Sequence, residues 1–189
     1  MALLGWSRSP LRVVSRHRIL DVAEAEYTRA DGVAKTMTTL LTDDWANVVA
    51  LTDDDMLVLV RQFRPGPCVE TLETPGGVID EGEAPLAAAA RELAEETGYV
   101  ARELVSLGSA YANPAIQENR IHFFLALGAT RAHAPRFDGG GEECEVVLVP
   151  RADLERLFEN GVFSHALCWA ALARASIHLA RTSRLGDRV

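Results

Sequence analysis

Glu92, Glu95 and Glu96 lie at spacings of three and four in the stretch Arg91-Glu92-Leu93-Ala94-Glu95-Glu96-Thr97-Gly98-Tyr99. At 100° per residue they gather on one side of a helix, with Leu86, Ala89, Ala90, Leu93, Ala94 and Thr97 as an apolar flank on the opposite side. Like charges at helical spacing weaken an isolated helix, so a compensating positive charge is expected. Hard oxygen ligands on a rigid helix suit Mg²⁺ or Mn²⁺, and Mg²⁺ is usually held by a few carboxylates together with substrate phosphate oxygens. Such an ion would draw an anionic pyrophosphate to an acidic protein, neutralise charge on its phosphoryl oxygens and lower the pKa of an attacking water. Glu92 and Glu96 are the first choices as ligands and Glu95 the next. Arg91, one turn from Glu95, is placed to steady the carboxylates. A bare RELAEE string also fits a solvated amphipathic helix. What separates the two readings is the residues around it.

Gly77 precedes Glu83 by six residues, and Glu83 precedes Arg91 by eight. With the unbroken run from Arg91 to Tyr99, this stretch resembles the Nudix box, the signature of Nudix hydrolases. The one departure is Tyr99, where the family has an aliphatic residue; it bears on packing more than on chemistry. The resemblance implies an α/β fold, an α/β/α sandwich with a mixed β-sheet, here preceded by a small N-terminal β element. It also implies a Gly76 backbone carbonyl among the metal ligands. Glu83 is read as a helix-start acid or a partner of the ligand set.

Pro114, fifteen residues after Tyr99, and the segments LVRQFR, ETPGG, NPAIQENRIHFFLA and FENGVFSHAL resemble the ADP-ribose pyrophosphatases and relatives acting on nucleoside-diphosphate sugars, over roughly residues 40 to 175. The motifs of NADH and coenzyme A pyrophosphatases are absent. The implied reaction is divalent-metal-dependent hydrolysis of ADP-ribose or a related nucleotide sugar to a nucleoside monophosphate and a sugar phosphate. GDP-mannose is an alternative substrate, and a non-cleaving nucleotide sensor an alternative role. In that subgroup the base tends to come from a loop after the box: here Glu142 or Glu143 in GGGEECEV, with Glu118 as an outsider. Gly140 stands where relatives often have an acid. The subgroup also usually exchanges its N-terminal element across a homodimer.

The 189 residues, 48% hydrophobic, suffice for one well-buried core. A formal net charge of −8 argues against a general nucleic-acid binder. Of the basic residues only Lys35 is lysine. Cys68, Cys144 and Cys168 are too far apart for a metal-ligand spacing or an obvious disulfide framework, which fits a reducing, cytoplasmic setting. No apolar run approaches a membrane span. None of the five histidines is given chemistry, and His122 is read as structural.

Residues 1–42 read as an N-terminal arm and β-hairpin, closed at Asp31-Gly32 and able to serve in dimerisation. Residues 43–180 read as the hydrolase domain and 181–189 as a loose tail. Strands are expected at WANVVALT, MLVLVRQF, ELVSLGSAY, RIHFFLALGA and CEVVLVP. One helix should run from near Glu83 to a left-handed cap at Gly98, and two more follow at RADLERLFENG and SHALCWAALARASIHLA. Arg61 and Arg64 are expected to share one strand face, where they could grip substrate phosphates or line a subunit contact, although ordinary surface arginines fit the pattern equally well. Glu73 joins them as a substrate-binding residue, and Trp45 could stack on a nucleobase, although a lone Trp before an apolar strand is more often a core residue.

Overall fold

The computed structural model describes residues 5–136, 144–159, 161 and 163–186, the last three without their side chains. The chain divides into two compact units, residues 1–44 with 111–120, and residues 45–110 with 121–189.

In the first unit, β3 (Asp21–Arg29) is the central strand. It pairs antiparallel with β4 (Ala34–Leu41) from Asp21 to Thr28, the hairpin expected around Asp31-Gly32. Gly32 takes a positive φ of 89° in that turn, where Asp31 Oδ1 accepts from both Arg29 Nε and the Val33 N–H. Two strands form where only an arm was expected: β1 (Trp6–Arg8) and β2 (Arg12–Arg16) both pair antiparallel with β3. They are three and five residues long, with Pro10 between them, so neither carries enough alternation to stand out in sequence. Residues of the 111–120 segment complete the unit: Leu40 N–H donates to the Ile116 carbonyl, and Glu118 accepts from Arg8 Nη1 at 3.0 Å.

The second unit is built on a mixed sheet. Its strands are β5 (Trp45–Leu51), β6 (Met56–Arg64), β7 (Val69–Glu73), β8 (Gly76–Val78), β10 (Glu103–Tyr111), β11 (Arg120–Leu127) and β13 (Cys144–Pro150), ordered β10-β11-β5-β6-β13 along the main path. A small ribbon pairs β9 (Tyr99–Val100) with β12 (Thr130–Arg131). β11 runs parallel to β5 over seven residues, and the other β5 and β6 pairings are antiparallel. Among the described residues the helices are α1 (Pro85–Thr97), the short α2 (Leu154–Glu159) and α3 (Ala166–Gly186). Helix α3 continues through residues 181–186, where the sequence suggested a loose tail. No described helix is long and apolar enough to cross a membrane.

Successive side chains on β5 point to opposite faces. Ala46, Val48 and Ala50 pack with Ala88, Ala89 and Leu93 of α1, together with Phe124 and Ala126 of β11. On the other face α3 packs against β5, and Arg174 lies 4.9 Å over the Phe123 ring. The sheet is therefore the middle layer of an α/β/α sandwich. Both faces being covered, β5 reads as the near-continuous apolar run Val48-Val49-Ala50-Leu51 instead of an alternation.

The pairing of β5 with β6 is brief, covering only Ala50↔Val58 and Leu51↔Leu57. Beyond it the strands part: the first half of β5 takes β8 as partner, and the second half of β6 takes β7. The splay opens the sheet at one end, and α1 follows β8 directly in the chain.

Candidate active site

A cavity of about 710 Å³ lies where β5 and β6 diverge. Its walls include Trp45 and Asn47 from β5, Gln62 and Arg64 from β6, Thr71 and Glu73 from β7, Gly76 and Gly77 from β8, and Glu92, Glu95 and Glu96 from α1. A volume of this order suits a nucleotide-sized ligand.

Helix α1 begins with Pro85 in its first turn and ends at Gly98, whose φ of 74° and N–H bond to the Ala94 carbonyl make the expected left-handed cap. Its buried stripe is rotated from the expected one. Ala88, Ala89, Leu93 and Thr97 are buried, whereas Leu86 and Ala90 face solvent. The rotation follows from the carboxylates. Glu92 and Glu96 are half-buried at the edge of the stripe, facing the strand below, and only Glu95 is well exposed.

The glycine pair of β8 makes room for them. A Cβ built on Gly77 would stand 2.6 Å from Glu92 Oε1. Gly76, at φ 157°, donates its N–H to Glu96 Oε2 at 2.9 Å. Arg91 ties the edge together: Nε and Nη2 donate to the two Glu83 oxygens, Nη1 to Glu92 Oε1 at 2.7 Å and Glu95 Oε2 at 3.2 Å, and Nη2 also to the Val78 carbonyl. This raises the Arg91 pKa and lowers that of Glu83, whose carboxylate also accepts the Asp80 N–H. Burial pushes the Glu92 carboxyl above its ordinary value, against the pull of Arg91, with Glu95 and Glu83 adding repulsion. A half-buried carboxylate whose burial outweighs its ion pair with Arg91, held over a glycine beside two more carboxylates, is a donor set that fits a hard divalent cation.

A second cluster faces the same cavity. Arg64 Nε and Nη2 fork onto the two oxygens of Glu73 at 2.8 and 2.7 Å, and Thr71 donates its hydroxyl to Oε1. Burial alone would raise the Glu73 pKa, but Arg64 and Thr71 outweigh it and hold the carboxylate below its ordinary range. His165 lines the cavity next to this pair, with Nδ1 3.7 Å from the Cys168 sulfur. Donor atoms of Glu73, His165 and Cys168 lie within 4.8 Å of one another. Glu73, however, is already bonded by Arg64 and Thr71, and burial pushes the Cys168 thiol up to about 11, which keeps it protonated.

The structure brings most of the sequence candidates into one place: Trp45, Arg64, Glu73, Gly76, Arg91, Glu92, Glu95 and Glu96 all line the cavity. Arg61 does not. It is three residues from Arg64, an odd offset on a strand, so the two point to opposite faces. Gln62 and Arg64 face the cavity, and Arg61 instead pairs with Glu145 of the neighbouring β13 at 2.7 Å. Glu142 and Glu143 lie outside the described residues. Glu118 belongs to the first unit, where Arg8 holds it.

Several cavity residues carried no sequence expectation: Asn47, which accepts the Thr74 hydroxyl at 2.8 Å, Thr71, Arg136 and His165. Thr71 and Glu73 had a visible signal, two polar residues at alternate positions of a short strand whose intervening Leu72 is apolar. The others are joined only by the tertiary fold.

The NUDIX domain model matches residues 43–169, which takes in both the carboxylate edge and the splayed strands. The chain belongs to the Nudix hydrolase family. Nudix hydrolases generally use a divalent metal, consistent with the donor set on α1. The chain is 36% identical over 114 residues to an ADP-ribose pyrophosphatase of Bacillus subtilis, covering 60% of this chain and 61% of that protein. It is 34% identical over 116 residues to a GDP-mannose pyrophosphatase of Citrobacter koseri, covering 56% and 58%. The match thus spans about three-fifths of the length of these relatives. A crystal structure of an ADP compounds hydrolase superposes with a TM-score of 0.86 at 25% identity, covering 97% of this chain and 99% of that one.

Proposed function

We propose that this Nudix hydrolase cleaves the pyrophosphate bond of ADP-ribose or a related nucleoside-diphosphate sugar, giving a nucleoside monophosphate and a sugar phosphate. The observation that carries this reading is the convergence of Glu92, Glu95, Glu96 and the Gly76-Gly77 turn on one wall of the cavity that Arg64, Glu73 and Trp45 also line. Glu92, Glu96 and the Gly76 carbonyl, with Glu95, would hold Mg²⁺ or Mn²⁺. When bound, the ion neutralises charge on the phosphoryl oxygens and acidifies water. Arg91 keeps Glu92 and Glu95 in register by donating to both while Glu83 anchors its other edge, and the Gly76 N–H holds Glu96. Trp45 offers a flat apolar surface for the base, and the Arg64–Glu73 fork shapes the adjoining wall. Glu142 or Glu143 would take the proton from the attacking water or orient it.

The relationship to a GDP-mannose pyrophosphatase supports a second substrate, since the guanine and mannose ends would be read by the same cavity. A sensor that binds without cleaving is disfavoured by the intact set of glutamates. We also assign residues 1–42 to an element that pairs across a homodimer, as the resemblance to the ADP-ribose pyrophosphatases implies. Light scattering on the purified chain tests that assignment.

The decisive experiment incubates the protein with Mg²⁺ or Mn²⁺ and a panel of nucleotide sugars, with Glu96→Gln as control. Release of nucleoside monophosphate that needs Glu96 and stops in excess chelator is expected. Tight binding without product from any member of the panel would show a sensor instead.

A further inference from the structure

Among the described residues three guanidinium groups line the cavity: Arg64, Arg91 and Arg136. Two are already committed. Every nitrogen of Arg91 donates to Glu83, Glu92, Glu95 or Val78, and Arg64 is closed onto Glu73 with only Nη1 outside the fork. Arg136 makes no side-chain hydrogen bond or ion pair among the described residues, although Glu73, Asp80, Glu92, Glu95 and Glu96 line the same cavity. Internal neutralisation is therefore not its role.

Its backbone, in contrast, is fixed. The Arg136 N–H donates to the Glu95 carbonyl at 2.7 Å, and the Ala132 and His133 N–H groups both donate to the Gly98 carbonyl. Just upstream, β12 pairs with β9, the strand that follows the α1 cap. The segment lies so close to Gly98 that a Cβ there would stand 2.1 Å from the His133 carbonyl oxygen. These contacts pin the 130–136 segment to the C-terminal turn of α1. The side chain of Arg136 is thus held at the rim beside the carboxylate edge, exposed and with its donors open.

We infer that Arg136 is a substrate-binding residue whose guanidinium donates to the phosphate oxygens of a bound nucleoside diphosphate. This rests on the hydrolase reading for its ligand class. An anion entering a cavity lined by five carboxylates needs cationic donors besides a metal, and a planar fork matches two phosphate oxygens as a lysine ammonium does not. Of the three arginines, this is the one whose fork is open.

The test measures binding of the non-hydrolysable α,β-methylene-ADP by calorimetry, with and without Mg²⁺, for the wild type and for Arg136→Ala, Arg136→Gln and Arg136→Lys. Tenfold or greater weakening is expected in the first two, with partial recovery in the lysine variant and an unchanged thermal midpoint, because the side chain has no described partner to lose. Binding of the same nucleoside without phosphates should be unaffected. An affinity within twofold of wild type in Arg136→Ala, equal loss for the phosphate-free nucleoside, or no binding of the analogue by the wild type each overturns the inference. If the analogue binds in an Arg136-dependent way while no nucleotide sugar is hydrolysed, the hydrolase reading fails and this one stands. If hydrolysis proceeds equally well in Arg136→Ala, the reverse holds.

Discussion

Arg64 and Glu73 close on each other as a two-pronged pair, Nε to Oε1 at 2.8 Å and Nη2 to Oε2 at 2.7 Å, with the carboxylate 3% exposed and the guanidinium 37%. Removing the cation alone would strand a buried charge. Arg64→Ala should cost about 3 kcal/mol of folding free energy, the low end for a broken buried pair because water reaches the arginine side. Replacing both residues by leucine should cost less than Arg64→Ala alone. Urea unfolding of the two variants decides it, and a double variant less stable than the single one would refute the assignment.

The same pair sets an acid limit. The folded-state pKa of Glu73 is lowered, so its stabilisation is present above the ordinary carboxylate range and is lost as pH falls through the lower folded value. The wild-type thermal midpoint should therefore drop in acid more steeply than that of Glu73→Gln. Parallel acid limbs for the two proteins would count against it.

Neighbouring glycines of β8 should respond oppositely to alanine. A Cβ at Gly77 meets only the far end of the Glu92 side chain, which can swing away, so the fold should survive while the carboxylate edge is disturbed. Turnover should fall about 10- to 100-fold with little change in melting. A Cβ at Gly76 would stand 2.2 Å from the Ala46 carbonyl oxygen, backbone of β5 that cannot yield, at a φ of 157°. Gly76→Ala should lose about 3 kcal/mol of stability. Melting curves alongside assays separate the two, and equal destabilisation by both would contradict this geometry.

Arg91 bonds three glutamates and a backbone carbonyl from a single planar group, which a lysine ammonium cannot copy. Arg91→Lys should raise the Mg²⁺ concentration needed for half-maximal hydrolysis about 10- to 100-fold, with excess Mg²⁺ restoring much of the rate. An unchanged metal titration would remove Arg91 from its positioning role.

Local pattern carried the parts of this fold that depend on local pattern. Gly98 as a helix cap, the Asp31-Gly32 hairpin and the acidic edge of α1 all follow from short-range stereochemistry, and the structure bears them out. Period arguments failed where a residue's surroundings override its type. Leu86 is 49% exposed while Glu92 is partly buried, because the glycine strand receives the carboxylate and leaves the leucine facing water. Arg61 and Arg64 do not share the expected face, because an offset of three residues on a strand of period two puts them on opposite sides. His165 and Arg136 reach the cavity from segments far from the box in sequence, so no spacing rule could have linked them to it. β1, β2, β9 and β12 are too short for any periodicity to register.

Cys168 sets the opposite limit to Glu73. It is 0% exposed, and burial raises its thiol pKa from an ordinary value of 9.0 to about 11. A raised folded-state value means the native state prefers the protonated thiol, so this stabilisation is full below the unfolded pKa and disappears as pH climbs through the folded one. A gap of about two pK units corresponds to at most about 3 kcal/mol. Cys168→Ala has no thiol to ionise, so the difference between the two proteins isolates the thiol. The stability advantage of wild type over Cys168→Ala should therefore shrink by about 2 kcal/mol between roughly pH 8 and pH 11, read from urea unfolding across that range. An advantage that stays constant would mean that water reaches the thiolate and that the α3 face of the sheet is not closed around it.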